Sequence, residues 1–185
     1  MTDQSPIQTA ADPSALRAAL ADSTVRPHDL AANLGIPEGA LVAARVGHGA
    51  LRIDATPDRL IPLVEPLGEV MALTRNPSCV IEKVGVYRDY HPGNHAAMTL
   101  DKDIDLRIFP SRWVHAFAVE LPGEAGPRRS VQVFDAAGDA VHKIHLRAGS
   151  DLAAWETLKQ ALAVEDQSDS AAFTPRAAVE PAKSA

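Results

Sequence analysis

Between Gly68 and Arg147, apolar and polar residues alternate in short runs rich in Val, Ile and Thr, and turn residues separate the runs. Alternation of this kind is typical of strands that bury one face. The expected strands are 69–75, 79–87, 95–100, 105–109, 113–121, 129–134 and 140–147. The turn sequences PGEAGP and DAAGD predict hairpins between the last three strands. We therefore predict a large antiparallel sheet, connected most simply as a meander.

Helical patterns flank this region on both sides. Short helices are expected over 14–21, 27–34, from Pro37 to before Gly47, and over 57–64. After Ser150-Asp151, the segment LAAWETLKQALA places Leu152, Trp155, Leu158 and Leu162 on one helical face, which should lie on the sheet. The fold class is therefore α+β, with short N-terminal helices and a C-terminal helix packed on the sheet.

The two ends of the chain differ in composition from its centre. Residues 1–13 are polar and contain proline, and 164–185 are an Ala, Pro and Ser mixture with little apolar surface to bury. We predict a disordered N-terminal tail over 1–13, one folded domain over 14–163 and a disordered, linker-like tail over 164–185. A chain of 185 residues is enough for one such core.

The net charge and the cysteine content indicate the cellular compartment and exclude some classes of binding partner. The net charge of −6 argues against a general nucleic-acid binder, and no apolar run is long enough for membrane insertion. The single cysteine, Cys79, excludes a disulfide within the chain and fits a reducing compartment, so we expect a cytoplasmic protein. Cys79 lies beside Val80 and Ile81 and is expected to be a buried, inert thiol.

Seven histidines are many for a chain in which aromatic residues make up only 4%. His91 and His95 flank Pro92-Gly93 and form a turn pair rather than a helical chelating pair. His142 and His145 lie three apart on a predicted strand and should point to opposite faces. Neither histidine pair has the third protein ligand that a zinc site requires. A single imidazole is enough for haem, and His28, His48 and His115 are each compatible with that role or with a structural one.

The segment IDLRIFPSRW places Arg107 between Leu106 and Ile108. On a strand, Arg107 faces away from these neighbours, either paired with Asp105 in solvent or holding a ligand carboxylate above a planar group. Trp113 has a similar ambiguity between core packing and ligand contact. Nucleotide-binding, zinc-protease and serine-hydrolase motifs are absent from the sequence.

Four sequence blocks extend this interpretation. They are DLAANLGIPEGALVAARVG (29–47), GEVMALTRNPSCVIEKVGVYRDYHPGNHA (68–96), DIDLRIFPSRWVHAFAVE (103–120) and SVQVFDAAGDAVHKIHLRAGSDLAAWETL (130–158). Together they resemble the amino-terminal half of the HemS/HmuS family, the cytoplasmic haem-utilisation proteins of Gram-negative bacteria that are also called hemin-degrading factors. The resemblance covers about residues 15–163.

This resemblance implies haem as the ligand and suggests roles for individual residues. Arg107 matches the family arginine that faces the distal side of the haem, and His91 and His95 align with the histidines of an HxxGH-like turn. The family's principal axial histidine lies just beyond the point where this sequence stops, and a secondary histidine falls at Ile81, which cannot ligate iron. Candidate haem-binding residues are Arg107, His91, His95 and Trp113, and no catalytic or metal-binding residue is assigned.

Three functions follow from the resemblance. The leading one is a haem-handling module of bacterial iron acquisition, for intracellular trafficking or degradation, that forms one half of a two-half protein. The missing C-terminal half, or a second copy in a homodimer as in carriers of the HutX/ChuX type, would complete the site. A haem oxygenase or haem transporter is a further candidate partner. The alternatives are an interaction domain that docks to a partner without binding haem, and an enzyme that cleaves haem itself.

Overall fold

A computed structural model describes residues 12–76 and 78–176. Its helices and short 3₁₀ turns are α1 (Pro13–Asp22), α2 (Pro27–Leu34), α3 (Glu38–Ala43), α4 (Pro57–Val64), η1 (Glu65–Leu67), η2 (Pro110–Arg112) and α5 (Leu152–Leu162). Its strands are β1 (Ala50–Ile53), β2 (Val70–Asn76), β3 (Cys79–Gly85), β4 (Tyr90–His91), β5 (Ala97–Leu100), β6 (Asp105–Ile108), β7 (His115–Leu121), β8 (Arg128–Phe134) and β9 (Ala140–Leu146). The predicted α+β class is confirmed.

The strands form two antiparallel sheets. A six-stranded sheet has the order β1-β7-β8-β9-β2-β3, and a three-stranded sheet has the order β4-β5-β6. Strands β7, β8 and β9 follow one another as the predicted meander, but the β2–β3 hairpin joins the sheet beside β9 rather than beside β7. The connection therefore differs from a single meander, because the small sheet is inserted in the chain between β3 and β7.

Elements pack on both faces of the large sheet. Helices α4 and α5 and the small sheet share one core with the strands, built around Trp155, Tyr87, Leu60 and Ile144. On the opposite face, α3 packs on Phe117 and Phe134, and α1 and α2 pack in turn on α3. The predicted α5 stripe is buried except for Leu152, which is 51% exposed. None of the helices among residues 12–76 and 78–176 is both long and apolar enough to cross a membrane.

The predicted helix ends agree with the local chemistry. Asp151 caps α5, since its Oδ1 accepts hydrogen bonds from the backbone N–H groups of Ala153 and Ala154 at 2.8 and 3.0 Å. Gly35 ends α2 with a φ of 66°, a conformation that glycine adopts without strain. Pro57 stands at the first turn of α4, where its missing N–H has no helical partner to lose.

Residues 164–176 are the described part of the predicted C-terminal tail. They contain no helix or strand, but they contact the folded domain at several points, and we call them the C-terminal strap. The Gln167 side chain bonds both the N–H and the C=O of Arg52 on edge strand β1. The Phe173 ring lies 5.0 Å from the ring of His115. The remainder of the two predicted tails, residues 1–11 and 177–185, lies outside the described residues.

Cys79 also differs from the prediction, because it is exposed rather than buried. Its strand β3 is the other edge of the large sheet, and most of its residues are accessible on both faces. The neighbouring Val80 and Ile81 are 47% and 64% exposed. An apolar sequence run therefore marks an open sheet edge at this point and not a buried strand.

Candidate functional site on the small sheet

The small sheet presents one face to the core and one to solvent. Alternate residues Ala97, Thr99 and Ile108 point inward and are buried. The Thr99 hydroxyl donates to the Ile104 carbonyl at 3.0 Å, which satisfies a polar group inside the core. The residues between them must therefore point outward. We call the exposed side of β4–β6 the outer face.

A row of three side chains crosses the outer face. In the strand register His91 is opposite Met98, and Met98 is opposite Arg107. Directly opposed residues in antiparallel strands lie on the same face with their Cβ atoms close together. The structure thus brings the predicted residues His91 and Arg107 onto one surface. The two-residue strand β4 that aligns them has no detectable sequence pattern.

The Arg107 guanidinium remains accessible on this surface. Its Nη1 donates to Asp105 Oδ1 at 2.6 Å, and the two side chains are 51% and 61% exposed. This is the pairing two residues apart that the alternation predicted. An ion pair in this degree of solvent contributes little stability, so a ligand anion can replace Asp105 at small cost.

Apolar side chains surround the row. Leu100 and Phe109 are 40% and 47% exposed, and Met98 is half-buried. The exposed ring of His95 meets the Phe109 ring edge-on at 6.2 Å between centroids. His95, the second member of the predicted turn pair, therefore lies at the Phe109 end of this surface. An exposed apolar surface with an accessible guanidinium suits a planar ligand that carries a negative charge.

His91, the first histidine of the turn, is paired with a neighbouring carboxylate. His91 Nε2 lies 3.0 Å from Asp89 Oδ1, and Asp89 has a φ of 53°, in the left-handed region. The described residues contain no group of three or more His, Cys, Asp or Glu side chains that could hold a metal ion. His91 is instead an exposed hydrogen-bonding group at the margin of the outer face.

Trp113 does not reach the outer face. It is 7% exposed and stacks on His142, with ring centroids 6.0 Å apart and an interplanar angle of 22°. His142 is itself fixed by Thr74 Oγ1 at 2.8 Å and by the Tyr87 hydroxyl at 2.6 Å. Burial lowers the pKa of His142 to about 4 and raises the pKa of Tyr87. The core beneath the small sheet thus contains a neutral imidazole with both nitrogens partnered.

The other histidines lie elsewhere. His145 points to the face of the large sheet opposite His142, as their spacing predicted, since it is opposite Met71 in the register while Ile144 is in the core. His28 contacts Glu38 at 3.2 Å on the side of α1–α3, and His115 lies beneath the C-terminal strap. His48 is exposed in the turn before β1. In the described part of the chain, none of these four histidines lies on the outer face.

The small sheet is fastened to the domain through a second tyrosine. The Tyr90 hydroxyl donates to Asp58 Oδ1 on α4 at 2.5 Å. Burial and the adjacent Asp58 carboxylate raise the pKa of Tyr90, so the phenol keeps its proton as the donor. Because Tyr90 and His91 are consecutive on β4, this bond also fixes the strand that carries His91.

Comparison with known proteins identifies the family. The family model described as the haemin-degrading HemS/ChuX domain matches residues 35–162. The chain is 41% identical over 131 residues to the hemin transport protein HmuS of Yersinia pestis and 40% identical to HemS of Yersinia enterocolitica. Each match covers 70% of this chain and 38% of the relative, so the chain corresponds to well under two thirds of those proteins.

A solved structure gives the same result at the level of the fold. Holo-PhuS, a heme-binding protein from Pseudomonas aeruginosa, superposes with a TM-score of 0.85 at 39% identity, over 91% of this chain and 51% of that chain. The matched family region contains the whole of both sheets and all of α5. The chain therefore belongs to the haemin-degrading HemS/ChuX domain family.

Proposed function

We propose that this chain is a haem-handling module of iron acquisition, in which the outer face of the small sheet forms one wall of a haem cavity. The observation that supports it best is the row His91–Met98–Arg107, with exposed Leu100 and Phe109 beside it. Haem is planar and apolar, and its propionates are anionic. The outer face has the matching chemistry: apolar area for the macrocycle and a guanidinium for a carboxylate or an iron-bound ligand.

The opposite wall of the cavity comes from outside the described residues. The outer face is open to solvent, and a site of full affinity must enclose its ligand. A second half like that of the longer relatives, or a second copy of this chain, supplies that wall in our proposal. Haem is then cargo in the cytoplasm, and a haem transporter or oxygenase would exchange it. Degradation of haem by this module would depend on the wall that completes the site.

Hemin titration tests the proposal. We expect a shifted Soret band at micromolar protein, and we expect Arg107→Ala to weaken binding about tenfold or more, since a hydrogen bond to a charged group contributes about 1.5–3 kcal/mol. The matched control is Arg59→Ala, because Arg59 is also an exposed arginine paired with a nearby aspartate, Asp54, but lies on α4. An unchanged Soret band, or equal effects of the two substitutions, would contradict the proposal.

A second candidate function, docking to a partner without haem, is favoured by strand β3. It is an open edge with Val80 and Ile81 exposed, and open apolar edges are templates for pairing with another chain. Light scattering, and a pull-down with a separately produced second half, distinguish the two functions. A tight complex that forms without hemin and is lost in Ile81→Lys, together with no Soret shift, would favour docking alone.

A further inference from the structure

A basic groove lies on the side of the large sheet away from the outer face. It is bounded by α1–α3 and by the strands β2, β7, β8 and β9, and it has a volume of about 330 Å³. Six Arg or Lys side chains line it: Arg26, Arg45, Arg75, Arg128, Arg129 and Lys143. Among the described residues, the only carboxylate that lines it is Glu38. The groove is therefore positively charged although the whole chain is acidic.

The Glu38 carboxylate already has partners within the groove. Glu38 is 5% exposed and forms an ion pair with Lys143 through Oε1, and its Oε2 lies 3.2 Å from His28 Nδ1. Arg129 is paired separately with Glu120 at 3.1 Å. No ion pair joins Arg26, Arg45, Arg75 or Arg128 to any residue of 12–76 or 78–176. Four cations in one concave surface thus lack a counter-charge from the described part of the chain.

Two of these cations are also partly shielded from water. Arg75 Nε is buried and has no hydrogen-bond partner in the described structure. Arg45 is half-buried, and burial lowers its pKa. Partial desolvation of a guanidinium without a partner destabilises the fold, and a bound anion would offset part of that loss. The planar guanidinium is well suited to bind a carboxylate or phosphate through two hydrogen bonds.

The apolar side chains of the groove indicate that its ligand also has an apolar part. The apolar side chains that line the groove are Leu20, Leu41, Val42, Leu73, Val119 and Leu121. Arg75 lies at one end, where a second cavity of about 330 Å³ shares Arg75, His28 and Glu38 with the groove. A groove of this volume, with apolar walls and a few convergent polar groups, is in the range of small-molecule sites.

We infer that this groove binds a small amphipathic anion, an apolar body that carries a carboxylate, sulfonate or phosphate group, and that Arg45 and Arg75 supply the positive charge that attracts it. Nothing in this site involves Arg107, His91 or the outer face, so the inference does not depend on the proposed haem function. The large sheet separates the two surfaces.

Two fluorescent probes with the same ring framework test the inference. 8-Anilinonaphthalene-1-sulfonate has the sulfonate, and N-phenyl-1-naphthylamine lacks it. We expect the sulfonate probe to bind with one-to-one stoichiometry and at least tenfold more tightly than the neutral probe. Arg45→Gln and Arg75→Gln should each weaken the sulfonate probe about tenfold and leave the neutral probe unchanged. Octanoate and octyl phosphate then compete with the probe, and their relative potency shows which anionic group the site prefers.

Arg59→Gln is the matched control, since this exposed arginine is on α4, across the sheet from the groove. Thermal unfolding of each variant shows that it is folded, and we expect Arg75→Gln to unfold no lower than the wild type. Equal affinities for the two probes, or wild-type binding by both groove variants, would overturn the inference. A hemin titration of the same variants keeps the two ideas separate: the groove variants should bind hemin normally, and Arg107→Ala should bind the sulfonate probe normally.

Discussion

At the scale of single residues, His142 shows how the fold uses a histidine that is not a ligand. Its two nitrogens are satisfied by Thr74 and Tyr87, and Trp113 covers its ring. An imidazole in this position cannot gain a proton without losing an acceptor interaction in a water-free site. His142 is therefore a structural residue whose hydrogen bonds require the neutral imidazole.

The depressed pKa of His142 predicts how stability depends on pH. The pKa falls from 6.5 to about 4 on folding, chiefly because of burial. The unfolded chain then binds this proton more readily, so the contribution of His142 is intact above about pH 6.5 and is lost as the pH falls toward 4. The loss is on the order of 3 kcal/mol, since one pKa unit corresponds to about 1.4 kcal/mol.

Urea unfolding of the wild type and of His142→Gln at pH 7 and pH 4.5 measures this effect. The half-buried His145 and His115 also have pKa values lowered by burial, and both remain in the two proteins. The variant should be less stable at pH 7 and should lose less stability than the wild type on acidification. Equal losses in both proteins would show that His142 does not titrate as described.

At the scale of the elements, Gly85 determines how closely the small sheet approaches β3. A Cβ at this buried position would lie 2.8 Å from Asp103 Cβ and 2.8 Å from Ile104 Cγ1, in the loop between β5 and β6. Only a residue without a side chain permits this contact. The orientation of the outer face therefore depends on a residue that does not line it.

Gly85→Ala should destabilise the domain by about 1–3 kcal/mol, since overpacking of a tight contact forces backbone shifts. Gly149→Ala is the control, because a Cβ there meets no atom within 4 Å. Its stability should change by less than about 0.5 kcal/mol. Denaturant unfolding compares the two, and a hemin titration should show weaker binding for Gly85→Ala alone. A Gly85→Ala protein as stable as Gly149→Ala would mean that the loop can move aside freely.

The strands also show which elements can be predicted from the sequence. The alternating runs predict β2 and β5–β9, because each of these strands buries one face. Strand β3 is predicted from its β-branched residues and the turns that bound it, although both of its faces are accessible. Strand β4 has two residues, too few for a periodic signal, and β1 lies outside the region from Gly68 to Arg147 in which the sequence alternates, so neither strand is predicted. The same limit applies to the candidate site: the pairing of Arg107 with Asp105 is local and was foreseen, whereas the row with His91 and Met98 depends on β4.

At the scale of the whole molecule, the C-terminal strap connects parts that the sequence keeps far apart. Arg17 on α1 bonds Asp169 at 2.9 Å, and Thr174 donates from its backbone N–H to the Ala136 carbonyl at 2.7 Å. The bonds of Gln167 to Arg52 cover the β1 edge of the large sheet, while the β3 edge stays open. Composition could not predict the strap, because its partners are backbone groups and side chains more than 35 residues away.

Substitution of two phenylalanines tests the structural role of the strap separately from the proposed role of the outer face. Phe173 is half-buried between His115 and the glycines Gly39 and Gly138, and Phe109 is 47% exposed on the outer face. Phe173→Ala should lower the free energy of unfolding by about 1–2 kcal/mol through lost apolar burial and leave hemin binding unchanged. Phe109→Ala should leave stability within about 0.5 kcal/mol and weaken hemin binding. Urea unfolding and Soret titration of both variants give four results. If Phe173→Ala were as stable as the wild type, the strap would contribute nothing to the fold; if Phe109→Ala bound hemin normally, haem would contact another surface.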